Sequence, residues 1–467
     1  MVEKLNLQKS QFSDWWDKVI SYAKVLDDRY PIKGVYVWMP YGHKAVKLMI
    51  NKMESLLDQT GHQETYFPLF SPASVFAKEK DFLAGFGGES LVVTKIGRRD
   101  LDEEMIVRPT SETIIYSMLS LWIRSWRDLP MKLYQTVPIF RWETKMTKPM
   151  IRCREISKFN EAHCAMLTEQ GANTQVNEAI KIYKEFFDFL QIPYIILKTP
   201  NWDTFAGAIY NYDFFTIMPD GKSVELASVI NLGQKFSKSF DISYLDKSEQ
   251  KQHAWQVTYG ISERALGASL ALHGDDKGLV FPSEIAPIQV VFVPILKVNP
   301  SDNEILEACN QELPFRVFVD TSDKRPGEKF NHWEVKGVPI RIDIGERDLA
   351  SNSAVLVRRD TGEKMPVPLN ELEKKISTIL ETIDSSIYKK AQDFVASMIN
   401  EAKDLRTAQK LIKKGAVKLP WCGDDSCGQK LEEQLTGSAL GISEETPVGD
   451  CICGKKAKSY LYFARSY

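Results

Sequence analysis

No stretch of this chain is apolar for long enough to cross a bilayer. Its apolar runs, such as Gln289-Val-Val-Phe-Val-Pro-Ile-Leu296, reach only part of the way. The start, Met1-Val-Glu-Lys-Leu-Asn-Leu-Gln-Lys, is mixed and charged and does not read as a secretory leader. There is no internal repeat and no low-complexity tract. There is no Gly-x₄-Gly-Lys-Ser/Thr loop, so any nucleotide must be held by other groups. A strong charge of one sign is missing as well. The net charge is −2, and no whole-chain field attracts nucleic acid, which would need local basic patches. These absences leave a cytoplasmic enzyme, without membrane contact, as the expectation. Cysteine is scarce, with seven in 467 residues, and four of them fall in the last tenth.

Those four are Cys422, Cys427, Cys451 and Cys453. Two close pairs separated by a loop suit one tetrahedral Zn²⁺ held by thiolates. Residues two apart on an extended segment face the same way, which accommodates the tight second pair. The bland alternatives are two disulfides or four buried thiols. Disulfides need an oxidising compartment, to which nothing in the sequence points. Four thiolates leave no coordination site for water, so the metal reading is structural.

At 467 residues the chain is too long for one core, and about two to three domains are expected. Composition is that of a globular protein, 43% hydrophobic and 26% charged. After Pro40, Val46, Met49, Ile50, Met53, Leu56 and Leu57 recur at helical spacing. From about 65 to 290, β-rich runs (Leu91-Val-Val-Thr, Met105-Ile-Val, Tyr194-Ile-Ile-Leu) mix with helical ones (177–190), which suits an α+β domain with a large, mainly antiparallel sheet. Near Ile285-Ala-Pro-Ile the pattern changes. Val290 to Ile295, Phe315-Arg-Val-Phe-Val and Ile340-Arg-Ile-Asp-Ile read as strands. Ser301 with Glu304 reads as the start of one helix, and Asn370 as the cap of another ending near Asp384. This is a smaller α/β domain. A charged helix follows Ser385. Between Lys389 and Lys418 lie eight basic residues (Lys389, Lys390, Lys403, Arg406, Lys410, Lys413, Lys414, Lys418) against Asp393, Glu401 and Asp404. This run is either a solvated, connecting helix face or a contact for RNA phosphate.

The residues that carry chemistry are arginines with carboxylates interleaved. Arg108-Pro-Thr-Ser-Glu112 is followed by Pro138-Ile-Phe-Arg-Trp-Glu143, Lys145-Met-Thr-Lys-Pro-Met-Ile-Arg152, Glu155, and Lys158-Phe-Asn-Glu-Ala-His163. Far downstream stands Gly260-Ile-Ser-Glu-Arg-Ala-Leu-Gly267. The guanidinium fork binds phosphate or carboxylate in a bidentate way, and Arg141, Arg152 and Arg264 suit a triphosphate. Glu143 suits an exocyclic amine and Phe159 a purine face. His163 and His273 read as ordinary structural histidines.

On these residues the chain resembles the class II aminoacyl-tRNA synthetases, and closely the prolyl-tRNA synthetases of archaeal and eukaryotic type. Met39-Pro40 and its helix resemble the first class II motif, Phe140 to Arg152 the second, and Ala254 to Gly278 the third, with Arg264 as the motif arginine. Thr110-Ser-Glu112 resembles the Thr-x-Glu of the proline pocket, and Gly327 to Pro339 the anticodon-binding domain. The four cysteines and Tyr467 resemble the family's C-terminal zinc module, which packs back on the catalytic domain with its terminal carboxylate near the active site.

The resemblance implies three domains: a catalytic domain over 1–286, an anticodon-binding domain over 287–384 and a small α/β zinc-binding domain over 385–467. It implies ATP, Mg²⁺ and structural Zn²⁺, with L-proline and tRNA(Pro) as substrates, and a homodimer. Arg141 and Arg264 are the implied catalytic residues. Arg141, Glu143, Arg152, Cys153 (by its backbone), Phe159, Glu225, Ser228 and Arg264 are expected at ATP. Thr110, Glu112, Arg141, Phe205 and Ile230 are expected at proline. Asp320, Lys336 and Glu346 are candidate partners for anticodon bases. No editing domain is expected.

One segment departs from the family, whose members carry Gln-x-Gly-Thr-x-His before Leu-Gly-Gln-Asn-Phe. This chain reads Glu225-Leu-Ala-Ser-Val-Ile-Asn-Leu-Gly-Gln-Lys-Phe236, and just upstream Asn211-Tyr-Asp213 stands where the family tends to have Thr and Glu. Ala227 adds a methyl where a ligand approaches the backbone, Ile230 dries the amino-acid pocket, and Glu225 brings a negative charge that suits Mg²⁺ or Arg264. The readings this leaves open are lineage drift with proline activation intact, a paralogue that takes another amino acid or a non-tRNA acceptor, an inhibitor-resistant copy, and loss of adenylation, against which the retained Arg141, Glu143, Arg152, Arg264, Thr110 and Glu112 stand.

Overall fold

The computed structural model describes residues 7–78, 87–144, 146–297 and 300–467. The first residues of the start, 1–6, and Lys145 in the second arginine segment lie outside the described residues.

An eleven-stranded sheet dominates the molecule. In spatial order its strands are Ile399–Glu401, Ala416–Trp421, Ser459–Ala464, Ser438–Ser443, Ile195–Lys198, Tyr210–Ile217, Ser223–Gly233, Trp255–Ser262, Glu155–Met166, Met131–Phe140 and Gln63–Glu64. All neighbours are antiparallel except the pair at each edge. The expected antiparallel catalytic sheet is there. The last module also contributes to it. Its four strands join the catalytic strands through the pairing of Ile442 with Lys198.

The helix Pro40–Gln59 begins on a proline at its first position, where no N–H is needed. The six apolar residues read at helical spacing are all buried. They form one core with the helices Glu169–Phe189 and Arg264–His273 and the sheet against which these pack. A second core lies beneath the helix Glu112–Trp122, where Ile115, Tyr116 and Leu119 meet Leu232 and Phe236.

The smaller domain is a five-stranded sheet in the order Val317–Val319, Val290–Pro294, Ile340–Ile344, Ser353–Arg358 and Lys364–Pro368. The first three are parallel, as βα alternation requires, and the last two form an antiparallel hairpin. Gly337 closes the helix Pro326–Lys336 in a left-handed conformation at φ 74°. A Cβ there would also lie 2.5 Å from the main chain of Leu279.

Two expectations from the sequence are corrected here. Asn370 does not cap the next helix. It lies in the short 3₁₀ turn Leu369–Glu371, and the helix starts at Leu372. Nor does that helix stop near Asp384. It runs unbroken to Ser397, because its buried stripe (Ile376, Ile379, Leu380, Ile383, Ile387, Ala391, Val395) keeps helical period through Ser385. The expected boundary at 384/385 therefore falls inside one helix.

Candidate active site

Arg141 follows the last residue of the strand Met131–Phe140, where the chain leaves the sheet before re-entering it at Glu155. Its Nε donates to the carbonyl of Pro109, 2.8 Å away, which ties it to the Thr110–Glu112 turn. Arg264 opens the helix Arg264–His273. Its Nε donates to Ile151 O at 2.9 Å and its Nη1 to Glu225 O at 3.0 Å. Both acceptors are neutral main-chain carbonyls. Burial first, and then the Arg264 charge, lower the pKa of Arg141. Two mutually repelling cations anchored on neutral carbonyls make a site for an anion.

The cleft these arginines share has two connected parts. The inner hollow, of about 200 Å³, is lined by Thr110, Glu112, Arg141, Phe159, Phe205, Glu225, Ser228, Ile230 and Arg264 among others. The outer hollow, of about 440 Å³, shares Arg141, Phe205, Glu225, Ser228, Ile230 and Arg264 and adds Glu143 and Arg152. Ser466 and Tyr467 line its far wall. Arg141, Arg152 and Arg264, separated by up to 123 positions, thus border one cleft.

Glu112 is buried at the N-terminus of its helix, where the helix dipole favours a carboxylate. Thr110 Oγ1 donates to its Oε2. Burial still raises its pKa, against the opposing effect of His163. Phe159 faces Arg141, whose Cζ is 5.9 Å from the ring centre. Ile230 is a buried member of the second core and gives the inner hollow part of its apolar lining.

Some expected residues behave differently. Glu143 is bound to Arg152, with Oε2 2.8 Å from Nε and 2.6 Å from Nη2. The candidate adenine reader and a candidate phosphate ligand are thus each other's partners. The side chain of Cys153 is buried in a small apolar cluster with Ile139 and Ile156, and its thiol donates to Lys148 O. The residue lines neither hollow. The Glu225 carboxylate is exposed and accepts from Ser228 Oγ at 3.1 Å. Arg264 touches only its main-chain oxygen, so the suggested ion pair between them does not form. Glu225 and Ser228 present oxygen donors of the hard kind that Mg²⁺ takes.

A buried polar layer to which no motif in the sequence pointed lies under the inner hollow. Glu161 Oε1 accepts from Ser111 Oγ and from Gln135 Nε2, and its Oε2 faces His163 Nε2 at 3.1 Å. His163 Nδ1 meets Tyr116 OH at 3.2 Å. Glu161 and His163 are two apart on one strand and so share a face, a signal the sequence carries. Asp213, in the sequence only a departure from the family pattern, is buried beside the outer hollow. It accepts from Ser228 Oγ at 2.6 Å, from Asn211 Nδ2 and from Thr199 Oγ1. Burial, then the nearby Glu225 charge, raise its pKa to about 7.

In the smaller domain, Asp320 is not available to a base. It is buried and accepts from Trp333 Nε1 at 2.7 Å and Ser322 Oγ at 2.6 Å. Lys336 lies over Tyr41 and Trp333, and Glu346 pairs with Lys297 at 3.2 Å.

The four cysteine sulfurs all lie within 4.8 Å of one another. Cys427 to Cys451 and Cys453 to Cys422 are each 3.7 Å apart, and all four thiols are free. Tetrahedral bonds of about 2.3 Å give an edge of about 3.8 Å, so the set fits a metal ion and not disulfides.

Residues 93–273 match the tRNA synthetase class II core domain (G, H, P, S and T), and residues 289–379 match an anticodon binding domain. With the antiparallel sheet and its arginine cleft, this is a class II aminoacyl-tRNA synthetase. Residues 406–467 match the prolyl-tRNA synthetase C-terminal domain, and the proline--tRNA ligase of Methanosarcina mazei is 43% identical, with 98% of each chain covered. The chain belongs to the proline--tRNA ligase family. That of Pyrococcus abyssi is 42% identical over the full length of both chains. The prolyl-tRNA synthetase of Giardia lamblia, solved with prolyl-adenylate, superposes with a TM-score of 0.94 at 37% identity, covering 98% of this chain and 99% of that one. The Cryptosporidium parvum enzyme, solved with halofuginone and AMPPNP, gives 0.94 at 32% identity and 99% coverage of both.

Proposed function

We propose that this chain activates L-proline with ATP and transfers the prolyl group to tRNA(Pro). The observation that supports this best is the joining of two hollows at Arg141, a small one closed by Thr110 and Glu112 and a larger one bordered by Arg152 and Arg264. In the first step a carboxylate oxygen of proline bonds to the α-phosphorus, and pyrophosphate leaves. In the second, a hydroxyl of the terminal ribose of tRNA bonds to the acyl carbon, and AMP leaves. Little covalent chemistry falls to the protein, whose work is positioning and charge stabilisation.

Arg141, at the junction, faces both the amino-acid carboxylate and the α-phosphate. Arg264 takes a distal phosphate, and Arg152 takes another as Glu143 turns to the adenine amine beside the Cys153 backbone. Phe159 stacks on the purine. Thr110 and Glu112 hold the proline ammonium, which supplies Glu112 with the countercharge its burial demands. Phe205 and Ile230 wall the ring. Glu225 and Ser228 would hold Mg²⁺, which offsets phosphate charge when bound. Cys422, Cys427, Cys451 and Cys453 would hold a structural Zn²⁺. The homodimer and the cytoplasmic location belong to the same reading. A paralogue that loads a carrier protein would have no use for the anticodon-binding domain, which argues against that alternative.

The test is amino-acid-dependent ATP–pyrophosphate exchange across the twenty amino acids. Exchange specific to proline supports the assignment. Exchange driven by alanine or another residue instead would overturn it.

A further inference from the structure

The basic run between 389 and 418 divides in the structure. Lys389 pairs with Asp393 at 2.7 Å, Lys390 reaches the Asp360 carbonyl, and Lys418 pairs with Glu445 at 2.6 Å. The middle of the run is different. The helix Leu405–Leu411 exposes Arg406 and Lys410, four apart and so on one face, and the turn that follows exposes Lys413 and Lys414. Among the described residues Lys410, Lys413 and Lys414 form no ion pair. Asp404, the nearest acid in sequence, is used as the helix cap and accepts from Thr407 N at 2.8 Å and Thr407 Oγ1 at 2.7 Å. Arg406 and Lys410, four apart on the helix, repel each other, a cost that a bound polyanion would offset.

Their position gives these cations a use. A Cβ on Gly221 would lie 2.2 Å from the carbonyl oxygen of Lys414, and Gly221 turns the hairpin whose second strand starts at Ser223 on the outer hollow. A Cβ on Gly437 would lie 2.6 Å from Ile412, and the next residue, Ser438, also lines that hollow. Arg465 Nη2 donates to the Lys413 carbonyl at 2.7 Å, just before Ser466 and Tyr467 on the same wall. The turn that carries Lys413 and Lys414 therefore packs against segments that line the outer hollow, on the C-terminal module rather than on the anticodon-binding domain.

The geometry points to Arg406, Lys410, Lys413 and Lys414 as a docking stripe for the phosphate backbone of the tRNA acceptor arm, held so that its 3′-terminal ribose enters the outer hollow. This rests on the proposed function. Phosphate contact of this kind positions RNA without reading its sequence. It also makes binding depend steeply on salt, each contact adding about 0.7 to 0.9 to the log–log slope.

The experiment is the triple variant Lys410→Ala, Lys413→Ala, Lys414→Ala, compared with the wild type in exchange and in charging of tRNA(Pro) over a range of salt. Exchange should stay within about twofold. The KM for tRNA should rise about tenfold or more, and the salt slope of kcat/KM should fall by about 2 to 3. The triple Lys→Arg variant should restore both. Fluorescence anisotropy with an isolated acceptor-arm minihelix should show the same loss. Unchanged KM and slope, or loss toward whole tRNA with unchanged minihelix binding, would overturn the proposal. If the wild type itself neither exchanges with proline nor charges tRNA(Pro), the proposed function has failed instead.

Discussion

Arg141 and Asp213 illustrate two ways a residue enters this cleft. Arg141 is legible in the sequence, because an arginine two residues before a glutamate at a strand exit belongs to a recurring motif. Its Nε is anchored on a neutral carbonyl, which orients the guanidinium fork without cancelling its charge. Arg141→Ala should lower proline-dependent exchange by at least about 10²-fold, near 3 kcal/mol, with little change in melting temperature. Steady-state exchange kinetics and a melting curve check this. Asp213 is not legible in that sense. Asn211, two before it on the same strand, shares its face, but only the fold brings Thr199 and Ser228 to its carboxylate. Its raised pKa fixes the sign of a pH effect. Between about pH 4 and 7 the folded state holds a proton there that the unfolded state has lost, so this group's contribution to stability falls as pH rises through that window. The fall is at most about 1.4 kcal/mol per pH unit, the worth of one proton. Asp213→Asn should therefore flatten the decline in stability from pH 5 to pH 7, as read by urea unfolding at several pH values. An unaltered pH profile in the variant would contradict the assignment.

Among the elements, the helix Pro40–Gln59 is readable because one apolar period runs its whole length. The helix Leu372–Ser397 is harder to read, because a change in surface charge near Ser385 looks like a break while the buried period continues beneath it. The segment between Lys198 and Tyr210 shows what no local pattern reveals. Trp202 Nε1 donates to Glu432 Oε2 at 3.1 Å, and Asn201 Nδ2 to Asp425 Oδ2 at 3.1 Å, so a catalytic-domain loop is fastened to the cysteine-bearing helix Asp425–Leu435. Three residues after Trp202, Phe205 walls both hollows. Gly428, next to Cys427, leaves room for the indole, since a Cβ there would lie 2.2 Å from Trp202 Cη2. In an ordinary helix interior alanine is favoured over glycine. Here Gly428→Ala should instead destabilise by about 1 to 3 kcal/mol and raise the KM for proline more than it lowers kcat. Thermal melting and exchange kinetics measure both, and a more stable variant with normal KM would rule out the contact.

At the scale of the molecule, the fold class and the presence of a cysteine module can be read from the chain. The continuity of the sheet cannot, because strand pairing between 198 and 442 leaves no local trace. That continuity bears on the metal. If the four cysteines hold Zn²⁺, prolonged dialysis against a chelator should lower the melting temperature by roughly 5 °C or more. The change should extend to the catalytic sheet, so calorimetry should register it in the main transition. A small, separate low-temperature peak with the main transition unmoved would contradict this coupling.

The pairing of Lys198 with Ile442 also sets a timetable. During synthesis the strand Ile195–Lys198 leaves the ribosome 244 residues before its neighbour does. At about 5 to 20 residues per second, that is roughly 12 to 50 seconds. For that interval the growing chain displays a vacant row of backbone donors and acceptors on a half-built sheet, open to any other extended polypeptide nearby. The yield of native protein in a cell should accordingly depend on chaperones that shield nascent chains.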